Sequence, residues 1–304
     1  QYILFVLYNF ITSLKEYIKT YTYDGDTQVS ARKNIRQSGH IVITNPDMLH
    51  VGILPHHTKW IKLFENLKYV VIDEVHSYRG VFGSHVANVI RRLKRICNFY
   101  GSDPIFICAS ATIDNPGELS SKLIGDEIEL IDDNGAPRGP RDFIFYNPPV
   151  VNKELGIRRS YVLESKKIAS MFLKNKIKTI IFTRSRLRTE IILSYLRDDK
   201  PNEVNIRGYR GGYLPNERRY IEKGLRDGDI HGVVSTNALE LGVDIGQLDA
   251  SILAGYPGTI ASSWQQAGRA GRGQKRSISI MVASSSALDQ YIVNNPDYFF
   301  NQPA

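Results

Sequence analysis

The chain has 304 residues, 42% hydrophobic and 23% charged, which suits two globular domains of roughly 150 residues, each able to bury a sizeable core. No apolar run reaches ten residues, well short of the ~20 that cross a bilayer. The two cysteines, Cys97 and Cys108, lack C-x-x-C spacing; this argues against a disulfide framework or cysteine zinc site in the segment and sets a reducing cytosol as the expected location. The net charge of +8 is unevenly spread: residues 1–132 hold 14 Lys and Arg against 14 Asp and Glu, residues 133–304 hold 25 against 17. A basic second half beside a neutral first half fits a polyanionic partner drawn mainly to the second.

From Gln1, the run YILFVLYNFITSL predicts an amphipathic helix entered midway, and the chain is expected to be an N-terminally truncated piece. Short β-branched runs follow at 41–44, 69–73, 105–110, 179–183, 233–236, 251–255 and 277–283, with helical patterns such as 81–98 and 161–175 between them. That alternation predicts an α/β fold of parallel sheets with crossover helices. The stretch 132–150 is the densest in Gly and Pro, which places a hinge near 133–140 and domains at 1–132 and 133–304. In open α/β sheets ligands gather at the carboxyl ends of the strands. Polar motifs occupy those positions in both halves, so the two lobes are expected to face each other across one ligand-bearing cleft.

Asp73-Glu74-Val75-His76 closes the apolar run YVVI. A carboxylate pair there needs a cation, a metal or solvent. In phosphoryl transfer, Asp73 would hold Mg²⁺ through water, Glu74 would polarise the attacking water, and His76 would bridge to the second lobe. Alone, the motif fits a solvated acidic strand end equally well. Far downstream, Gln265, Gly268, Arg269 and Arg272 fit Q-x-x-G-R-x-x-R, which places two arginines on one helical face within reach of a γ-phosphate. No Gly-Lys dipeptide occurs, so the phosphate-gripping Walker A loop is missing from this segment.

Other strand ends suit nucleic acid. Thr44, Asn45 and Pro46 offer a hydroxyl, an amide and a turn to backbone phosphates. Arg184 follows TIIFT, and Thr236 and Asn237 leave another strand where they can donate to a phosphate. Arg207, Tyr209, Arg210 and Gly211 mix arginine, aromatic and glycine, as expected where a ring stacks on a base beside a phosphate chain. Asp244 could touch the nucleotide ribose or an arginine of the opposite lobe. Ser110 and Thr112 of Ser-Ala-Thr could relay changes at the carboxylates, although a lone Ser-Ala-Thr also reads as a helix cap.

Taken in order, YDGDT (23–27), TNPDML (44–49), DEVH (73–76), SAT (110–112), FTRSR (182–186), YRGGY (209–213), TNALELGVDIG (236–246) and QQAGRAGR (265–272) resemble the motifs of superfamily 2 DEAD/DEAH-box helicases. YDGDT, GIRRSY (156–161) and YRGGY are further similar to the YprA-like DNA repair helicases, the group of bacterial MrfA and the fungal Hrq proteins. The resemblance implies two RecA-like lobes, the first incomplete at its N-terminus. It implies ATP hydrolysis with Mg²⁺ and 3′ to 5′ movement on single-stranded or tailed duplex DNA. It assigns Asp73 and Glu74 to Mg²⁺ and water, Ser110 and Thr112 to coupling, and Arg269 and Arg272 to the γ-phosphate. The family's phosphate loop and its cysteine-rich C-terminal region are not in the sequence, so the segment alone is expected to be inactive. An RNA helicase or a remodelling translocase remains open from the residues, and so does a non-catalytic nucleic-acid-binding scaffold.

Overall fold

The computed structural model describes residues 18–111, 113–133, 135, 139–199, 204–240, 243–271 and 275–302. They form two compact units divided between Asp133 and Asn134. The N-terminal run read above as a helix lies outside the described residues.

In the first unit, β1 (Thr20–Thr22) leads through α1 (Val29–Ser38) to β2 (Ile41–Ile43), its parallel partner. Helical turns Pro46–Met48, Leu49–Ile53 and Leu54–Lys59 precede α2 (Ile61–Glu65). Next come β3 (Tyr69–Ile72), a turn at Val75–Ser77, α3 (Gly80–Phe99), β4 (Ile105–Cys108) and α4 (Pro116–Ile124). β3 and β4 pair in parallel, with Tyr69 opposite Ile105 and Ile72 opposite Cys108. The long helix α3 organises this unit because its apolar residues recur at helical spacing. Val86, Ala87 and Ile90 pack with Val75 and Leu123. One turn on, Leu93 and Cys97 join Tyr23, Ile35, Trp60 and Phe64. Burying each large aliphatic side chain contributes about 1.5–3 kcal/mol, so one helix stabilises both the β3–β4 end and the β1–β2 end.

The second unit is built on six parallel strands in the order β5-β12-β11-β8-β10-β9. Its elements are β5 (Arg141–Tyr146), a small antiparallel hairpin β6 (Val150–Asn152) and β7 (Ile157–Arg158), α5 (Tyr161–Lys174), β8 (Thr179–Thr183), α6 (Arg186–Asp198), β9 (Ile206–Tyr209), α7 (Pro215–Asp227), β10 (Gly232–Ser235), β11 (Ala250–Ala254), α8 (Ile260–Ala267), β12 (Ser277–Val282), α9 (Ala287–Asn294) and α10 (Pro296–Asn301). Every residue of the central strands β8, β10 and β11 is buried, as expected of parallel strands covered on both faces. Ile181, Val234 and Ile252 face Phe172, Leu173, Ile192 and Leu196 of α5 and α6. Ile180, Phe182 and Val233 face Ile221 and Leu225 of α7.

Two expectations are corrected here. The stretch 132–150, expected to be an interruption, contains the six-residue strand β5. The 207–213 segment, expected to bring arginines and a stacking ring to a nucleic-acid strand, begins inside the edge strand β9. No helix among the described residues is long and apolar enough to cross a membrane.

Candidate functional site

In the first unit the candidate residues gather at the carboxyl ends of β3 and β4. The ladder between these strands runs past their formal ends: the Ala109 N–H donates to the Ile72 carbonyl (2.9 Å) and the Val75 N–H to the Ala109 carbonyl (3.0 Å). Asp73 and Glu74 lie between those two bonds. Glu74 has φ 54° and ψ 40°, a left-handed conformation uncommon for a non-glycine residue. The turn is held from within. Oδ1 of Asp73 accepts from the Glu74 N–H (2.9 Å), and the Glu74 carbonyl accepts from the Ser77 N–H (2.8 Å) and hydroxyl (2.7 Å).

The His76 side chain, 8% exposed, joins this turn to the next motif. Its Nδ1 accepts from the Ala111 N–H at 3.2 Å and stands 3.4 Å from Oε2 of Glu74. One ring nitrogen cannot accept the first bond and carry a proton toward the second. While Nδ1 accepts from the amide it carries no proton toward Glu74. The link between DEVH and Ser-Ala-Thr therefore runs through the Ala111 backbone; the Ser110 hydroxyl turns instead to its neighbour's carbonyl (2.8 Å). Thr112 lies outside the described residues. Close by, burial first, then the charges of Asp73 and Glu74, push the Tyr78 phenol up.

The remaining candidates of this unit form a helix start. Oδ1 of Asn45 accepts from the Met48 N–H (2.7 Å) and Pro46 opens the turn, as an N-cap followed by proline does. The Thr44 hydroxyl is shielded and makes no hydrogen bond among the described residues.

In the second unit, the helix α8 and the loop after β10 are bound together. Arg269 is 5% exposed. Its Nε donates to the Glu240 carbonyl (2.9 Å) and its Nη1 to the Val243 carbonyl (2.8 Å), while Nη2 also reaches Glu240. The Gln266 amide donates to the Glu240 carboxylate (2.8 Å). At least three of the five N–H donors of Arg269 thus go to carbonyls that tie these two motifs. Gln265 and Gly268 flank it at the end of α8, and Arg272 lies outside the described residues. Thr236 caps the short turn Asn237–Leu239, accepting weakly from the Ala238 N–H (3.4 Å). Asp244 shapes a turn: its Oδ1 accepts from the Gly246 N–H (3.1 Å) and its carbonyl from Nη1 of Arg226 (3.0 Å).

Tyr209 departs from its expected role as a stacking ring. It is 2% exposed, packs among Ile221, Leu225 and Val233, and donates its hydroxyl to Glu222 (2.7 Å). Burial first and that bond second drive its ionisation far above the normal range for a phenol. Alternation explains the placement: Tyr209 ends β9 with its side chain on the α7 face. Beyond it, Nε of Arg210 donates to Glu190 (2.7 Å) and the guanidinium lies over the Tyr213 ring; the turn takes its positive φ at Gly212 (100°), whereas a Cβ on Gly211 would meet only Arg186 Nη2 at 3.6 Å. Arg207 is half-buried, and its Nε is shielded without a hydrogen-bond partner among the described residues. Arg184 forms an ion pair with Asp289, a fully buried carboxylate. Sequence reasoning missed Glu190, Glu222, Glu240, Gln266 and Asp289, since an isolated acid or amide carries no pattern until the fold sets an arginine or tyrosine against it.

Two family models match the chain: DEAD/DEAH box helicase over residues 6–119 and helicase conserved C-terminal domain over residues 164–274. The chain belongs to the DEAD/DEAH-box helicases, and its units have the RecA-like fold of that class. Within the class it is YprA-like. It is 67% identical to the ATP-dependent helicase YprA of Bacillus subtilis over 94% of this chain and 38% of that protein. It is 41% identical to the ATP-dependent helicase HRQ1 of Saccharomyces cerevisiae over 91% of this chain and 26% of that one. The crystal structure of DUF1998 helicase MrfA bound to DNA and AMPPNP matches with a TM-score of 0.93 and 64% identity, covering 98% of this chain and 42% of that chain. The chain thus spans less than half the length of each of these relatives.

Proposed function

We propose that the two units are the motor of an ATP-dependent DNA helicase that moves 3′ to 5′ on single-stranded DNA during DNA repair in the bacterial cytosol. The observation that carries this reading is 64% identity, over 98% of the chain, to a helicase solved with both DNA and AMPPNP. In this reading Asp73 holds Mg²⁺ and Glu74 orients the attacking water. The donor set fits that ion. Asp73 and Glu74 put two carboxylates just past the carboxyl end of β3, and Mg²⁺ is commonly held by one or two carboxylates with water and phosphate. His76 and Ala111 transmit the state of the carboxylate turn to Ser110 and Thr112. Arg269 and Arg272 serve the γ-phosphate, with Gln265, Gly268 and Asp244 around the nucleotide. Thr44, Asn45, Pro46, Arg184, Arg207, Arg210, Gly211, Thr236 and Asn237 serve the nucleic-acid strand.

The test is Glu74→Gln in the full-length protein, which should bind ATP as before and lose hydrolysis by at least two orders of magnitude. Turnover within tenfold of the wild type would refute the role of Glu74. Stimulation of ATPase by single-stranded DNA but not by RNA of the same length supports the DNA assignment, and the reverse pattern makes the protein an RNA helicase.

A further inference from the structure

Four adjacent strands of the second unit, β5, β12, β11 and β8, end at one edge of the sheet, and the start of α9 fastens all four. Asp289 is fully buried and its two oxygens receive four donors. Oδ1 takes Nη2 of Arg184, which follows β8, and the Ser286 hydroxyl (2.8 Å). Oδ2 takes the Ser284 N–H (2.8 Å) after β12 and the Tyr256 N–H (3.2 Å) after β11. Beside it, Gln290 exchanges hydrogen bonds with Asn147 at the end of β5 and donates to the Ser284 carbonyl (2.8 Å). Burial alone would raise the Asp289 carboxyl, but its donors outweigh burial and hold it below the usual carboxylate range. The arginine therefore meets a charged, fully coordinated partner.

Arg184 is constrained on a second side. Gly255, with φ +90°, lies so close that a Cβ there would stand 3.1 Å from Cζ, Nε and Nη2 of the guanidinium. With Nη2 held by Asp289 and one face against Gly255, the remaining freedom of the group is small. Its side chain is nevertheless 32% exposed, and among the described residues Nη2 is the one nitrogen of the group that makes a hydrogen bond, which leaves Nε and Nη1 to donate elsewhere.

We propose that Asp289 is a positioning residue for nucleic-acid binding, aiming the remaining N–H groups of Arg184 at a backbone phosphate of the bound strand. The proposal rests on the helicase reading above. Its chemistry is that of an oriented fork: a guanidinium fixed by a carboxylate behind it presents its other donors in a set direction. Asp289 touches no phosphate and acts only through Arg184.

The experiment uses the full-length protein and a fluorescein-labelled oligo(dT), with anisotropy read across a salt series. Counting charges alone, Asp289→Asn removes a negative charge near a polyanion and should leave binding unchanged or tighter. Positioning predicts the opposite: binding weaker by about tenfold, with a log–log salt slope shallower by about 0.7, the value for one lost single-strand phosphate contact. In an Arg184→Gln background, Asp289→Asn should add nothing. Unchanged or tighter binding, or an equal loss in the Arg184→Gln background, would overturn the proposal. Asp289→Asn also changes a buried carboxylate of the fold, so Arg184→Lys gives a second reading. A lysine drawn onto Asp289 keeps the charge but leaves no fork, so affinity should fall to the Arg184→Gln level; wild-type affinity would overturn the proposal. A wild-type protein that binds neither single-stranded DNA nor RNA refutes the helicase reading itself, an outcome distinct from these.

Discussion

Replacing Arg269 by Ala separates two roles that an activity assay alone would merge. The side chain is 5% exposed and its guanidinium donates to the carbonyls of Glu240 and Val243. Hydrogen bonds from a charged group contribute about 1.5–3 kcal/mol each, and a buried carbonyl left without its donor bears the desolvation cost. Two such carbonyls set an upper figure of about 6 kcal/mol, and water entering the vacated space lowers it to about 3. For a unit of this size, 1 kcal/mol moves the melting temperature by roughly 2–4 °C, so Arg269→Ala should melt about 6–12 °C lower. Trp264 is in the same unit, so urea unfolding followed by its fluorescence, with Trp60 changed to Phe in both proteins, reports the relevant transition. Arg269→Lys, with one compact ammonium for two carbonyls, should fall between them. If Arg269→Ala unfolds with the wild type while hydrolysis is lost, the bonds to Glu240 and Val243 are dispensable and the arginine's work lies with the phosphate alone.

Gly83 packs so tightly that a Cβ would lie 2.3 Å from the Tyr78 carbonyl oxygen; Gly83→Ala should cost about 1–3 kcal/mol and shift the turn bearing Asp73 and Glu74, and a variant that melts with the wild type would show that α3 can move freely. Tyr209→Leu should leave single-stranded DNA affinity within about twofold, because a stacked ring would account for roughly 1–3 kcal/mol per base and this ring is in the core; a loss beyond about fivefold contradicts the placement. The depressed Asp289 carboxyl contributes stability that is present above its unfolded value near 3.9 and is lost as pH falls through the lower folded value. The difference in urea midpoint between wild type and Asp289→Asn should therefore narrow on acidification, and a constant gap from neutral pH to about pH 3 would refute the link to that carboxyl.

The buried strands were the most legible part of the chain. Runs such as TIIFT are β-branched or aromatic at every position and flanked by Lys178 and Arg184, and β8 occupies those five positions. Edge strands were not legible, because one side meets solvent and their composition is mixed. RDFIFY is aromatic enough to mark β5, but Pro140 before it and Pro148-Pro149 after it give the stretch the character of a linker. β9 is short and carries Arg207 and Gly208. Among candidate residues, the order of motifs located DEVH, whereas alternation along a strand decided whether a side chain faces water. That is why Tyr209, beside two arginines in sequence, belongs to the core. The hub at Asp289 left no trace in the sequence because its donors come from four separated stretches.

The strand order of the second unit bears on how it is made. β12 inserts between β5, the first strand of the sheet in the chain, and β11, so the strand synthesised first has its sheet neighbour supplied last. Closing such a distant pair must pay its loop entropy before any contact rewards it. Until Ser277–Val282 leaves the ribosome, β5 can dock nowhere in its own sheet, and Phe143 and Phe145 lack their place beside Trp264 and Phe299. The unit should therefore complete in a single late step, after the last residue matched by its family model has already been translated.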